Sequence, residues 1–197
     1  MYKFTKLPKQ HASVKAAVES LENQDVNMRK SLAVDSEDPR LLRRLAADPL
    51  PSVRILVANN PSTPDAVFTM LANDTDDGVR AVVARSSKTS PDALSRLAKK
   101  SKNITVLALV AGNANTSEDT LRKLAEHPDE SVRGEVAGNI NTPRDIIEQL
   151  AQDRTMLVRL RVADNLEITD TLFNDIMDTL PKYVRERVIQ QHRRRMR

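Results

Sequence analysis

No cysteine occurs among the 197 residues. That absence removes disulfides, thiolate-bound zinc, iron–sulfur clusters and cysteine nucleophiles together, and it is compatible with a reducing compartment. Tryptophan is absent as well. The aromatic side chains are Tyr2, Phe4, Phe68, Phe173 and Tyr183, too few and too scattered to form a platform on which successive bases stack. No stretch approaches the roughly 18 apolar residues needed to span a bilayer, and the opening "MYKFTKLPKQHASVKAAVES" has no apolar stretch of the kind a secretory leader needs. The expectation is a cytoplasmic protein with no membrane partner.

Excess charge is also scarce. Lys and Arg number 31 against 27 Asp and Glu, for a net +4, and Arg193, Arg194, Arg195 and Arg197 account for the whole difference. The basic character therefore belongs to a tail and not to the body of the chain. His11, His127 and His192 lie in three separate parts of the sequence, with no His-x-x-x-His spacing and no thiol to complete a metal site. Gly78, Gly112, Gly134 and Gly138 form no phosphate-cradling loop, and no Gly-x-Ser-x-Gly elbow occurs. No catalytic residue, metal ligand or cofactor is expected, and the chain is read as a non-enzyme.

What is present is a repeat. Residues 52–74 read "SVRILVANNPSTPDAVFTMLAND", and residues 131–153 read "SVRGEVAGNINTPRDIIEQLAQD". Arginine follows an apolar residue at Arg29, Arg54, Arg80, Arg133, Arg159 and Arg185, with Leu107 in the remaining place, at intervals of 25 to 27 residues. Each unit opens on an apolar segment such as "VRILVAN" or "VLALVAGN", too apolar for an exposed helix and therefore buried. Asn59, Asn113, Asn139 and Asn165 then suit a helix end, because Asn tolerates left-handed geometry. Thr63-Pro64, Ser90-Pro91 and Thr142-Pro143 read as a hydroxyl cap followed by proline at the first helical position, and Thr116 and Thr169 as caps without proline. Carboxylates at Asp65, Asp92, Asp119, Asp145 and Asp170 follow in the first turn, where the helix dipole favours them. The second helix closes on segments such as "MLAND" and "QLAQD", apolar along one face.

Two helices per roughly 26 residues cannot close a core alone, whereas stacked neighbours bury a continuous one. The expectation is an all-α, right-handed α-solenoid of about six to seven two-helix repeats. Residues 1–25 form an N-terminal capping segment, 26–190 the solenoid and 191–197 a basic C-terminal tail. The pattern Val-Arg-x-x-Val-Ala-x-Asn, Thr-Pro, Leu-x-x-Leu-Ala resembles the leucine-rich repeat variant family and, more loosely, short HEAT-like repeats, over about residues 26 to 190. The resemblance implies alternating α and 3₁₀ helices. Some members of that family carry a cysteine-ligated iron–sulfur cluster, which this chain lacks the ligands to bind.

Two sets of residues compete as functional candidates. The arginines Arg54, Arg80, Arg133, Arg159 and Arg185 read as a structural ladder with preceding aspartates: Asp48, Asp74 and Asp153 stand six before, Asp129 four before Arg133, and Asp178 seven before Arg185. Arg80 is thus expected to pair with Asp74. The candidate contacts for a partner or for phosphates are Arg96, Lys99, Lys100 and Lys102, at an irregular seam in the repeat, and Arg187, Arg193, Arg194, Arg195 and Arg197 near the C-terminus. The leading functional reading is a non-enzymatic scaffold that binds a protein or peptide along its repeat surface. The alternative is a nucleic-acid-binding HEAT-like module, similar in general form to the alkylpurine DNA glycosylases, with the basic tail or the 96–102 loop on phosphates.

Overall fold

The computed structural model describes residues 25–165 and 168–195, with no side-chain description at 187 or from 191 onward. The expected capping segment thus falls outside the described residues except for Asp25, as do the side chains of Arg187, Arg193, Arg194 and Arg195, and all of Arg197. The described residues form thirteen α-helices and no strand. The chain divides into two compact units, Met1–Val83 and Ala84–Arg197.

The first unit holds α1 (Val26–Asp35), α2 (Pro39–Leu45), α3 (Pro51–Asn59) and α4 (Asp65–Leu71), and α5 (Asp77–Arg85) crosses the division. Helix α1 packs on α3, and α2 and α4 pack beside α3. The second unit continues with α6 (Pro91–Lys100), α7 (Ile104–Gly112), α8 (Glu118–Ala125), α9 (Glu130–Gly138), α10 (Arg144–Leu150), α11 (Met156–Ala163), α12 (Asp170–Asp178) and α13 (Lys182–Arg195). There α9 lies between α7 and α11, and α8 touches α6, α7 and α9. Within each unit, the first helices of successive repeats stack on one another and the second helices pack beside them.

The apolar periodicity explains the core. Two valines one turn apart on each first helix, Val53 and Val57, Val79 and Val83, Val106 and Val110, Val132 and Val136, Val158 and Val162, are all 0% exposed. Each such side chain contributes roughly 1.5–3 kcal/mol on burial. The second helices add Leu71, Leu97, Leu124 and Leu150 at equivalent places, each at most 5% exposed.

The alternation of α and 3₁₀ helices implied by the resemblance does not occur among the described residues, where every helix is α. Bonds of 3₁₀ type are confined to helix ends and connections; at the C-terminal ends the N–H groups of Asp48, Asp74 and Asp153 donate to the carbonyls of Leu45, Leu71 and Leu150. Terminal carbonyls have no donor four residues on, so tightening the final turn satisfies them.

The caps differ from expectation in an instructive way. Ser90 and Thr169 are N-caps, accepting from the N–H of Ala93 and of Leu172. Thr63, Thr116 and Thr142 are not. Their hydroxyls donate backward to the carbonyls of Val57, Val110 and Val136, and Pro64, Ser117 and Pro143 occupy the cap positions. These threonines sit at the end of a tight connection, and each accepting carbonyl lies in the last turn of the preceding helix, two residues before its end.

Candidate functional site

The arginines and aspartates form a ladder whose register differs from the one expected. Arg54 donates from Nη1 to the backbone carbonyl of Asp48 at 2.7 Å, while its Nε and Nη2 grip the carboxylate of Asp74, twenty residues on, at 2.6 and 2.7 Å. Arg133 repeats this with the carbonyls of His127 and Pro128 and the carboxylate of Asp153 at 2.7 and 3.0 Å. Arg29 holds Asp48 at 2.6 Å. The aspartate six before an arginine thus offers its carbonyl to that arginine and its carboxylate to the arginine of the preceding repeat.

Several expected pairs are corrected by this register. Asp129 is no partner of Arg133; it caps α9, accepting from the Ser131 N–H at 2.8 Å. Arg80 bonds the Asp74 carbonyl, and its carboxylate partner is Asp77. Arg159 bonds the Asp153 carbonyl at 2.6 Å and the hydroxyl of Thr179, which stands where the aspartate would be. Arg185 donates to Asp178 at 3.5 Å and to the Leu180 carbonyl at 3.2 Å.

The bidentate pairs shift the acids strongly. Burial opposes ionisation of Asp153, yet the Arg133 guanidinium and both the N–H and hydroxyl of Thr155 hold its carboxyl down to about 2. Asp74 is lowered for the same reasons by Arg54 and the Asp76 N–H, against its burial. Bonding to Asp74 and Asp153 raises Arg54 and Arg133 in turn.

A second, neutral ladder runs beside the first. Asn60, Asn113 and Asn139 end α3, α7 and α9 in extended conformation, not left-handed, and no non-glycine residue in the described chain has positive φ. Each side-chain oxygen accepts the N–H two residues on, from Ser62, Asn115 and Asn141. Each amide nitrogen donates to carbonyls of the preceding repeat: Asn60 to Ala33, Val34 and Ser36, Asn113 to Ala84 and Ser86, Asn139 to Ala111 and Asn113. Asn165 likewise donates to Ala137. Asn59 has no such role; its amide bonds the Ile55 carbonyl of its own helix.

The arginine ladder is interrupted in the second unit. Leu107 replaces arginine, and twenty residues on, in the aspartate position, stands His127. A cleft of about 240 Å³ opens there between α6, α7 and α8. Ala98, Leu107 and Leu124 line it with apolar surface, Ser95 and Thr120 with hydroxyls, and Lys99, Lys123 and His127 with basic groups. His127 is half-buried, and its Nδ1 accepts the Asp129 N–H at 3.1 Å. A further groove of about 310 Å³ runs over the first helices, lined by Arg85, Thr105, Ala108, Leu109, Gly112, Asn113 and Glu135. On this face Glu135 pairs with Arg161 at 2.8 Å, and a Cβ added at Gly112 would lie 3.0 Å from the Glu135 carboxylate. Glycine there lets the acidic side chain lie flat across α7.

A solved structure described as a leucine-rich repeat variant with a novel repetitive protein structural motif matches this chain with a TM-score of 0.63. The two are 25% identical, and the match covers 85% of this chain and 71% of that one. The architecture is that of a leucine-rich repeat variant. No family model and no curated protein matches the chain.

Within this leucine-rich repeat variant architecture, Arg96, Lys99, Lys100 and Lys102 are all exposed around the C-terminal end of α6. Only Lys99 of the four lines the cleft. The sequence reading set His127 aside only as a metal ligand, and Lys123, Ser95 and Thr120 are not among its candidate contacts. The signal for His127 was present in the period, since it follows Leu107 by the same twenty residues that separate Arg54 from Asp74. Among the described residues no group of three or more His, Asp or Glu side chains is arranged to hold a metal ion, and no helix is long and apolar enough to cross a membrane.

Proposed function

We propose that the protein is a non-enzymatic scaffold that binds a protein or peptide partner along its helical-repeat surface. The observation that carries this reading is the first-helix face of the second unit. There Leu109, which shares a groove with Glu135 of the Glu135–Arg161 pair, and Leu160 stay half-exposed, and Ile104 and Leu157 are 46% and 47% exposed. A helical-repeat surface offering apolar and charged groups together suits an extended polypeptide. The ladder arginines argue against a phosphate-tracking stripe, because Arg29, Arg54 and Arg133 are already neutralised by carboxylates.

Affinity capture from the source cell, comparing the native chain with Leu109→Glu/Leu157→Glu, tests the reading. Capture of a discrete protein by the native chain and its loss in the variant supports it. Recovery of nucleic acid alone overturns it in favour of a phosphate-binding module, with Arg96, Lys100, Lys102 and the tail arginines as the contacts.

A further inference from the structure

We propose that the cleft between α6, α7 and α8 docks an acidic peptide segment, with an apolar side chain on Leu107 and Leu124 and a carboxylate held by Lys99, Lys123 and His127. The inference rests on the scaffold reading and supplies the chemistry of the partner at one site.

The argument begins with the missing rung. Where the ladder is regular, as at Arg133 and Asp153, a buried cation meets a buried carboxylate, with side chains 6% and 8% exposed. At the cleft the chain supplies Leu107 in place of the cation and His127 in place of the anion. No carboxylate of the ladder lines the space, while Lys99 and Lys123 are both among the residues that do. The acids adjacent in sequence are Asp119, one turn before Lys123, Glu126 beside His127, and Asp129, which is engaged in capping α9. Among the described residues neither Lys99 nor Lys123 takes part in a salt bridge. The two lysines thus carry charges that no ion pair within the described residues engages.

His127 is oriented for the same task. Its Nδ1 accepts the Asp129 N–H, so the neutral imidazole carries its hydrogen on Nε2 and has that N–H left to donate. The rim therefore offers donors only from its three basic groups.

Size and polarity select the occupant. About 240 Å³ falls below the usual 300–1,000 Å³ of small-molecule sites and fits one or two side chains. The buried part is apolar, with Leu107 and Leu124 each 5% exposed. A phosphate backbone has nothing to place on such a floor, and no Phe, Tyr or Trp lines the cleft for a base to stack on. A peptide in which leucine and glutamate alternate supplies both groups.

The full chain is titrated by fluorescence anisotropy with a labelled, blocked octapeptide of alternating Leu and Glu, with its Leu-Gln counterpart, and with a labelled DNA duplex. The Leu-Glu probe binds, and the Leu-Gln probe binds about three- to tenfold more weakly, as expected when two exposed charge pairs are lost. Lys99→Glu/Lys123→Glu, two exposed changes checked for unaltered circular dichroism, weakens the Leu-Glu probe by about tenfold or more. Arg40→Glu/Arg43→Glu, an equal charge change in the first unit, shifts affinity by less than about twofold. Absence of Leu-Glu binding overturns the proposal, as does equal binding by Lys99→Glu/Lys123→Glu. Tighter duplex binding that depends on the same two lysines also overturns it. A captured cellular partner that binds native and Lys99→Glu/Lys123→Glu chains equally overturns the cleft site and leaves the scaffold reading standing.

Discussion

Replacing Arg133 with methionine removes a guanidinium that is 5% exposed as a residue and makes four hydrogen bonds, two to the Asp153 carboxylate and two to the carbonyls of His127 and Pro128. Breaking a buried pair by deleting one member costs about 3–5 kcal/mol, because the other charge is left without its partner. Asp153 keeps its bonds from the N–H and hydroxyl of Thr155 at 2.8 Å, which places the loss at the lower end, about 3 kcal/mol. The pH dependence separates an ion pair from simple packing. The Asp153 carboxyl lies at about 2 in the folded chain against an ordinary value of 3.8. A carboxyl lowered by folding contributes stability above its unfolded pKa and loses it as pH falls through the folded one. That contribution is about 2 kcal/mol at pH 7, of which about 1 kcal/mol is gone by pH 3. Urea unfolding of both chains at pH 7, 5 and 3 should therefore show a gap that is constant from pH 7 to 5 and narrows by up to about 1 kcal/mol at pH 3, Thr155 keeping part of the lowering in the variant. A gap that keeps its size at pH 3, or one below about 1 kcal/mol at pH 7, refutes the assignment of Arg133 and Asp153 as a stabilising pair.

Asn139→Ala should cost about 2–3 kcal/mol in urea unfolding, since buried carbonyls of the preceding repeat lose their donors, whereas Asn59→Ala should cost less than about 0.5 kcal/mol. Arg122→Gln should leave the urea midpoint unchanged, because the Arg122–Asp145 pair is solvent-exposed at both ends, with side chains 42% and 63% exposed. Gly134→Ala should stabilise the chain by about 0.5–1 kcal/mol, as the added methyl meets nothing closer than the Arg161 Cγ at 3.7 Å and the helix gains a better former. Arg80→Leu should lower the midpoint less than Arg133→Leu, because the carboxylate partner of Arg80 is Asp77, 49% exposed, and not Asp74.

The repeat, its period and its helical character were legible in the sequence because they depend on local spacing. Two apolar residues one turn apart become a buried stripe wherever a second helix is available to cover them, so Val53 and Val57 or Val132 and Val136 announced the core without coordinates. The types of residue in the ladders were equally visible. Their partners were not. A guanidinium six residues from an aspartate is within reach of both that residue's carbonyl and the carboxylate of the next repeat, and only stacking brings Asp74 to Arg54 and Asp153 to Arg133. The same holds for asparagine. Sequence alone offered a left-handed helix end, but a neighbouring repeat that presents buried carbonyls makes the extended conformation of Asn60, Asn113 and Asn139 the better bonded one. The seam followed the same division. Its lysines stood out in sequence, but whether any of them borders a recess depended on how α6, α7 and α8 pack, and that packing selected Lys99, Lys123 and His127. Composition and period set the elements and the buried face, because those respond to neighbours a few residues away. Hydrogen-bond register and the cleft were decided by tertiary structure, because the bonds between repeats join groups nineteen to twenty-nine residues apart.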